Sequence, residues 1–474
     1  MTRPLALAAA LAWDRTAPAG RWLAGVGVLL LGLGAWWVFF GGGGMPLDHH
    51  DWPKEYYYYK VIQSGVESGT IPWRTHLPVG VTDKLLANPE VTLAPQLIAL
   101  RWMEPAGFLM INTMLLFAAG WAGAMALAVR HQLGGVATAF LGLVVFFNGH
   151  MVAHLAVGHS MWAACFLLPW FVLGADWTCH DPAGRYRGPM LLAATMAMML
   201  FHGGIHALNW CLLFLLAWLA AEPRRWRPIL GAVVGAGLLA AMRFLPAAWS
   251  YRGHVPGFLT GYPDLMVLVW ALVEARPHTA PAIGGWNSDI GAELDWWEYS
   301  LYVGVPGLAL LCLYGLWQMR GWLRGWAVPL AVVAICSLGS VYAPVLWARV
   351  PMLSGERVTS RLILLPFLFV VVAAARGIAE AGATSRLAVR WAIAVGVGLM
   401  ALELLRHLLL WMPWRLRDDR PPWRPNPLPP LPPLDDRIHA LLLGSGAVIS
   451  LLAWGTVLWL AWREWRRHRG GAGS

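Results

Sequence analysis

Charge is scarce in this chain. Only 13% of its 474 residues are Asp, Glu, Lys or Arg, where a soluble domain carries about a quarter. That shortage argues against an ordinary water-soluble enzyme. Lysine is almost missing, so the positive charge is nearly all arginine, a bias that fits a GC-rich bacterial genome. Cysteine is sparse too: Cys165, Cys179, Cys211, Cys312 and Cys336 fall mostly inside apolar runs, with no pairing pattern. No disulfide framework is implied. Internal repeats are missing, as is the pair of Gly/Pro-broken spans in matching halves that many transporters carry. The first apolar run, Trp22 to Phe40, leads into Gly41-Gly42-Gly43-Gly44 without a small-x-small cleavage pattern. It reads as a retained span, not a signal peptide.

What is present is apolar surface: 58% of the residues are hydrophobic. Runs long enough to suggest bilayer spans recur at 22–40, 107–129, 134–147, 161–177, 189–203, 206–221, 228–247, 299–318, 325–341, 362–376, 390–411 and 438–461. The expected fold class is an all-α polytopic membrane protein with about a dozen transmembrane helices. An even number of spans puts both termini on one side. The short loops of that side carry eighteen arginines against six carboxylates, whereas acidic residues outnumber basic ones opposite. Arg-rich short loops stay in the cytoplasm. The net charge of +10 is therefore a topology signal, and a nucleic-acid partner is excluded.

The outer segments are the long ones: 41–106, 248–298, 342–361 and 412–437. Leu85 to Trp102 is apolar enough to lie on the membrane surface as an interfacial helix. Residues 412–437 form a Pro-rich strap, and 438–474 a last span with a basic cytoplasmic tail. Chemistry is expected on the outer face.

Three groups of residues there could carry it. Asp48-His49-His50-Asp51-Trp52, Glu55 and Tyr56 to Tyr59 follow the first span. A carboxylate held near the surface can act as a general base; the plain alternative is a solvated loop with an aromatic belt. His150 and His154 share a helical face at i, i+4 with His159 close by, and His202 and His206 repeat the spacing. With a carboxylate, such histidines make a zinc or manganese set, or simply line a wet cavity. Arg243, Arg357 and Arg361 form a basic set near the outer surface. Arginine forks suit phosphate; the alternative is ion pairing with Glu298 or Glu356.

Several ordered matches give these groups a family context. They run from Ser68-Gly-Thr-Ile-Pro72-Trp73 through Leu86-Ala-Asn-Pro89 and Pro95 to Phe147-Asn-Gly-His150, Gly158-His159 and Leu168-Pro-Trp170. Arg243-Phe-Leu-Pro246, Trp297-Glu298-Tyr299, Tyr302-Val-Gly304 and Glu356-Arg-Val-Thr-Ser-Arg361 follow. In their order and spacing they resemble the bacterial YfhO-like membrane proteins, a branch of the GT-C glycosyltransferase class, over about residues 22–380. Arg243 departs from the family, which usually has an uncharged polar residue there. The resemblance implies a GT-C-like transmembrane catalytic region over residues 1–411 in the bacterial inner membrane, with a periplasmic active site. It implies sugar transfer from a polyprenyl-phosphate-linked donor, drawn from the bilayer, to a glycan, lipid or protein acceptor. Counting back from Gly69-Thr-Ile-Pro72 at the family's spacing puts the catalytic acid at Asp51, with Asp48 as runner-up. Arg357, Arg361 and Arg243 would face the donor phosphate, and Trp52, Tyr56, Tyr57, Glu298 and His159 the substrates. His49, His50, His150 and His154 leave open a divalent metal (Mn, Mg or Zn). A flippase for a lipid-linked saccharide and a non-catalytic accessory protein are the competing readings.

Overall fold

The computed structural model describes residue 13 and residues 18–75, 82–181, 186–252, 254, 259–275, 295–316, 318, 321–350, 352–414 and 436–470. Most of the Pro-rich strap and the middle of the second outer loop lie outside the described residues. All twelve apolar runs fold as helices, and the described residues hold no β-strand beyond two isolated bridges, Thr260 to Val358 and Tyr262 to Leu338.

The runs are unequal as spans. Among the described residues, seven helices are long and apolar enough to cross a membrane: Pro18–Phe39, Pro105–Arg130, Gly135–Ala156, Ser160–His180, Thr359–Thr384, Leu387–Pro413 and Arg437–Arg463. An eighth crossing is available if Pro223–Leu239 and Ala241–Ser250, bent by 85° at Ala240, count as one. Four more are shorter: Arg187–Phe201, Ile205–Ala221, Gly304–Gly315 and Trp322–Cys336. At about 1.5 Å per residue each falls short of the roughly 30 Å hydrocarbon core. The dozen apolar helices are thus seven or eight full spans and four partial ones packed among them.

The buried centre is built from Gly135–Ala156, Ser160–His180 and Thr359–Thr384, whereas Leu387–Pro413 and Arg437–Arg463 leave most of their surface outward. Without a hydrophobic drive between helices in lipid, close approach depends on small residues. Gly120 shows this, since a Cβ there would lie 2.0 Å from the carbonyl oxygen of Phe166.

The segment 41–106 between the first two spans, whose side of the molecule is termed outer and the opposite side inner, is not an open loop. Trp52–Ser68 is a helix with Pro53 in its first turn, and Gly69 ends it in the left-handed conformation, φ 67°. Such a start and stop suit proline's fixed φ and glycine's missing Cβ. Trp52, Glu55, Tyr57, Tyr58 and Tyr59 are buried, so the aromatic run is a packed face. The continuous interfacial helix expected over Leu85 to Trp102 is not formed. Two 3₁₀ segments, Leu85–Ala87 and Pro95–Arg101, stand in its place. Pro89 and Pro95 interrupt the run, and a proline disfavours helical backbone at the residue before it.

Candidate functional site

The outer ends of these elements converge on one charged cluster. Asp51 caps the Trp52–Ser68 helix without a side-chain capping bond, so its carboxylate is free to face elsewhere. Its backbone N–H donates to the Val157 carbonyl at 3.0 Å. Gly158, at φ +93°, lets that strand of backbone press against the helix start: a Cβ there would lie 2.5 Å from the Trp52 nitrogen. Only glycine accepts both demands cheaply. The reversal at Gly158 then sends His159 back to Asp51, with Nε2 3.2 Å from Oδ2.

Lys54 stands 3.6 Å from Asp51 and 3.7 Å from Glu90, bridging them. The Asp51 side chain is 49% exposed, the most accessible carboxylate of the group. Burial pushes its pKa up, but the His159 hydrogen bond and the Lys54 charge override this and hold it well below the usual range. Burial disfavours the Lys54 cation, and Glu90 and Asp51 more than restore it. Glu55 is buried one turn along; burial raises its carboxyl to about 7, against Lys54 and the Ser160 hydroxyl, which donates to it at 2.5 Å.

Deeper lies the pair Glu298 and Arg361. Arg361 grips both carboxylate oxygens, Nε to Oε2 and Nη2 to Oε1, each at 2.6 Å. Its guanidinium lies over the Trp162 ring, 4.7 Å from the centroid. Burial opposes ionisation of Glu298, and the Arg361 fork reverses this, lowering its pKa. Arg361 also reaches His206 Nε2 at 3.4 Å, and His206 Nδ1 meets Glu356 at 2.9 Å. Read together, these bonds assign His206 the neutral tautomer that accepts from Arg361 and donates to Glu356.

Between Asp51 and Glu298 stand two imidazoles. His159 Nδ1 is 2.7 Å from His154 Nδ1, and His154 Nε2 is 3.7 Å from Glu298 Oε2. Among the described residues these three, His154, His159 and Glu298, form the group whose metal-ligand atoms all fall within 4.8 Å of one another.

The remaining expected residues fall into place around this core or away from it. His150 does share the face of His154, but its Nε2 accepts from the Trp162 indole at 2.9 Å. His49 lies 3.7 Å from Asp48, and His50 packs edge-on against Trp297. Neither joins the metal-ligand group. His202 and His206 share no helical face, because the chain breaks at Gly203-Gly204 between them. Trp52 is buried and donates to the Ala156 carbonyl, Tyr57 is buried, and Tyr56 is partly covered beneath Lys60. Arg243 is fully buried, and its guanidinium clamps the carbonyls of Leu86, Asn88 and Val91. A phosphate role for it is not what this geometry serves: it holds the first outer segment in place. Arg361 is engaged by Glu298, and Arg357 is exposed. The charge that departs from the family pattern at Arg243 is thus a structural clamp.

No family model matches the chain, and no curated protein matches it. Among solved structures, it is similar to the single-particle cryo-EM structure of the arabinofuranosyltransferase AftD from mycobacteria. The TM-score is 0.50 at 16% identity, over 85% of this chain and 27% of that one. The fold is GT-C-like. The chain spans about a quarter of the length of AftD, and at this identity the likeness is one of fold.

Lys54, Glu90, His206, Glu356 and Trp162 belong to this charged cluster and were not singled out for it from the sequence. His206 and Glu356 carried a signal, as a paired histidine and an ion-pair partner, but nothing in the sequence joined them. Trp162 carried none, since tryptophans abound here.

Proposed function

We propose that this protein is a membrane glycosyltransferase of the bacterial inner membrane. It takes a sugar from a polyprenyl-phosphate-linked donor and passes it to a glycan, lipid or protein acceptor on the periplasmic face. The observation that carries the reading is Asp51. It is a half-exposed, ionised carboxylate at the rim of an otherwise buried charged cluster, on the segment between the first and second spans. The fold shared with AftD, itself an arabinofuranosyltransferase, supports the transferase class.

In this reading the acceptor hydroxyl displaces Lys54 or water at Asp51 and gives the carboxylate its proton. The acceptor oxygen bonds to the anomeric carbon as the carbon–oxygen bond to phosphate breaks. Polyprenyl phosphate leaves with the electron pair. A depressed pKa keeps Asp51 ionised but makes it a weak base in the empty site. Its basicity rises when the substrates exclude water and draw Lys54 towards the leaving phosphate. That phosphate needs cations more than a general acid, and Arg357 and Lys54 are the candidates with exposed surface.

Transfer from a polyprenyl-phosphate sugar in nanodiscs tests this. Asp51→Asn keeps the shape and should lower turnover by about 10²–10⁴-fold with donor binding little changed, while Arg357→Gln should weaken donor binding. Wild-type turnover in Asp51→Asn removes it as the base. The same result with Asp48→Asn added removes the enzyme reading. The side of the membrane is tested separately with a cysteine in place of Glu67, which is exposed at the end of the Trp52–Ser68 helix. It should react with an impermeant thiol reagent on intact spheroplasts; labelling only after lysis reverses the orientation.

A further inference from the structure

We propose that His154, His159 and Glu298 bind one divalent transition-metal ion, zinc above all, with Asp51 as the outer partner that orients His159. The proposal stands on this geometry and not on sugar transfer.

Three observations point to an ion. The first is an unpartnered group. His154 is fully buried, and its Nε2 has no hydrogen-bond partner. At 3.7 Å, Glu298 Oε2 is too far for a hydrogen bond. Zinc bound to nitrogen at about 2.0–2.1 Å, with tetrahedral angles, separates neighbouring ligand atoms by about 3.4 Å. The gap therefore resembles a metal-ligand edge more than a failed hydrogen bond.

The second is the tautomer of His159. Its Nε2 lies 3.2 Å from Asp51 Oδ2 and its Nδ1 lies 2.7 Å from His154 Nδ1. An Nε2–H donated to Asp51 leaves the Nδ1 lone pair of a neutral ring aimed inward. A carboxylate behind a histidine in this way is the usual support of a metal-bound imidazole. As it stands that lone pair meets His154 Nδ1, so seating the ion replaces the His154–His159 contact with a metal–nitrogen bond at each ring.

The third is charge. Asp51, Glu55, Glu90, Glu298 and Glu356 are linked through this network with the cations Lys54 and Arg361. Even with Glu55 protonated, the carboxylates outnumber those cations by two. A divalent ion offsets that excess at the point where the unpartnered nitrogen stands. Two imidazoles and one carboxylate favour zinc or cobalt over magnesium or calcium, which prefer oxygen throughout. Three protein ligands also leave a position for water or a phosphate oxygen.

The test is made on the full chain in detergent or nanodiscs, stripped with a chelator and dialysed against Zn(II) or Co(II). One ion per chain is expected, and Co(II) should show the visible absorption of a four- or five-coordinate nitrogen–oxygen site. His154→Ala and His159→Gln should each weaken binding at least tenfold. Asp51→Asn should weaken it by about 10–100-fold, the usual effect of losing an outer partner. His202→Ala, outside the cluster, should leave it unchanged. Folding of each variant is checked by its elution profile and tryptophan fluorescence. His159→Gln, whose amide can keep a bond to Asp51, guards against a collapsed His154→Ala. No stoichiometric Co(II) or Zn(II) on folded wild type overturns the proposal, as does equal binding in both histidine variants. Folded wild type that binds the ion without transferring sugar would uphold this site and sink the transferase reading; folded wild type that transfers sugar yet takes up no ion would do the reverse.

Discussion

Two buried polar clusters sit at opposite ends of the Ser160–His180 helix, and they are finished differently. At the inner end Asp176 accepts from Arg130 at 2.9 Å, from the Trp322 indole at 2.7 Å and contacts His180 at 3.1 Å. One carboxylate meets several donors drawn from separate helices, and both its oxygens are engaged. At the outer end several carboxylates share few cations, and polar atoms such as Glu356 Oε1 and His154 Nε2 find no hydrogen-bond partner. Buried polar groups are normally satisfied, and exceptions call for a ligand or a catalytic role. The inner cluster is a clasp. The outer one is arranged for something besides its own stability.

The largest effect should come from dividing the outer cluster's central ion pair. Removing one partner of a buried pair leaves an uncompensated charge, at about 3–5 kcal/mol. Arg361→Gln should therefore destabilise the protein by about that much, read as lost thermal stability in detergent. Arg361→Lys should recover only part, because an ammonium cannot reproduce the two-pronged grip on Glu298. The double variant Glu298→Gln/Arg361→Gln should be markedly milder than Arg361→Gln alone. If the single and double variants are equally damaged, the pair is not the source of the loss.

A smaller and purely structural effect is expected at the inner end. Asp176→Asn removes a charge whose main partner, Arg130, is one-third exposed and can turn to water. The loss should be about 1–3 kcal/mol, the range for a buried hydrogen-bonded group left poorly matched. Sugar transfer per folded molecule should not change. A large fall in transfer at unchanged stability would erase the distinction between the two ends.

The contrast was only partly legible in the sequence. The helices were, because apolar runs and charge asymmetry are local signals; each of the twelve runs folds as a helix. Their lengths were less so, since hydropathy does not separate a full span from the partial helices at Arg187–Phe201 and Ile205–Ala221. The interfacial helix over Leu85 to Trp102 failed because two prolines outweighed its apolar composition. Within the site, the resemblance to YfhO-like proteins singled out Asp51, His159, Glu298 and Arg361, and the fold gathers them. The chemistry of the arginine fork, not the resemblance, suggested a phosphate role for Arg243, whose partners are carbonyls about 150 residues away and invisible to any local reading. His154 was paired with His150 by spacing, whereas its closest polar contact, His159, depends on the reversal at Gly158.

The last effect concerns Glu55, and it separates the outer cluster by pH. Burial raises its carboxyl from the ordinary 4.5 to about 7. Between those values the folded chain holds a proton that the unfolded chain has released, so by linkage stability falls as pH rises across the window and levels off above it. Asp51, Glu90 and Glu298 have lowered values. Their contribution is present above the unfolded carboxylate range and is lost only as pH falls below it. The two behaviours therefore do not overlap. Thermal unfolding in detergent, followed by tryptophan fluorescence from pH 5 to about 8, reads this contribution as the difference between wild type and a Glu55→Gln variant. Glu55→Gln removes the titrating group while keeping an acceptor for the Ser160 hydroxyl, so the stability of wild type relative to the variant should fall as pH rises through the window. A difference that does not change with pH would show that this carboxyl ionises as an exposed one does.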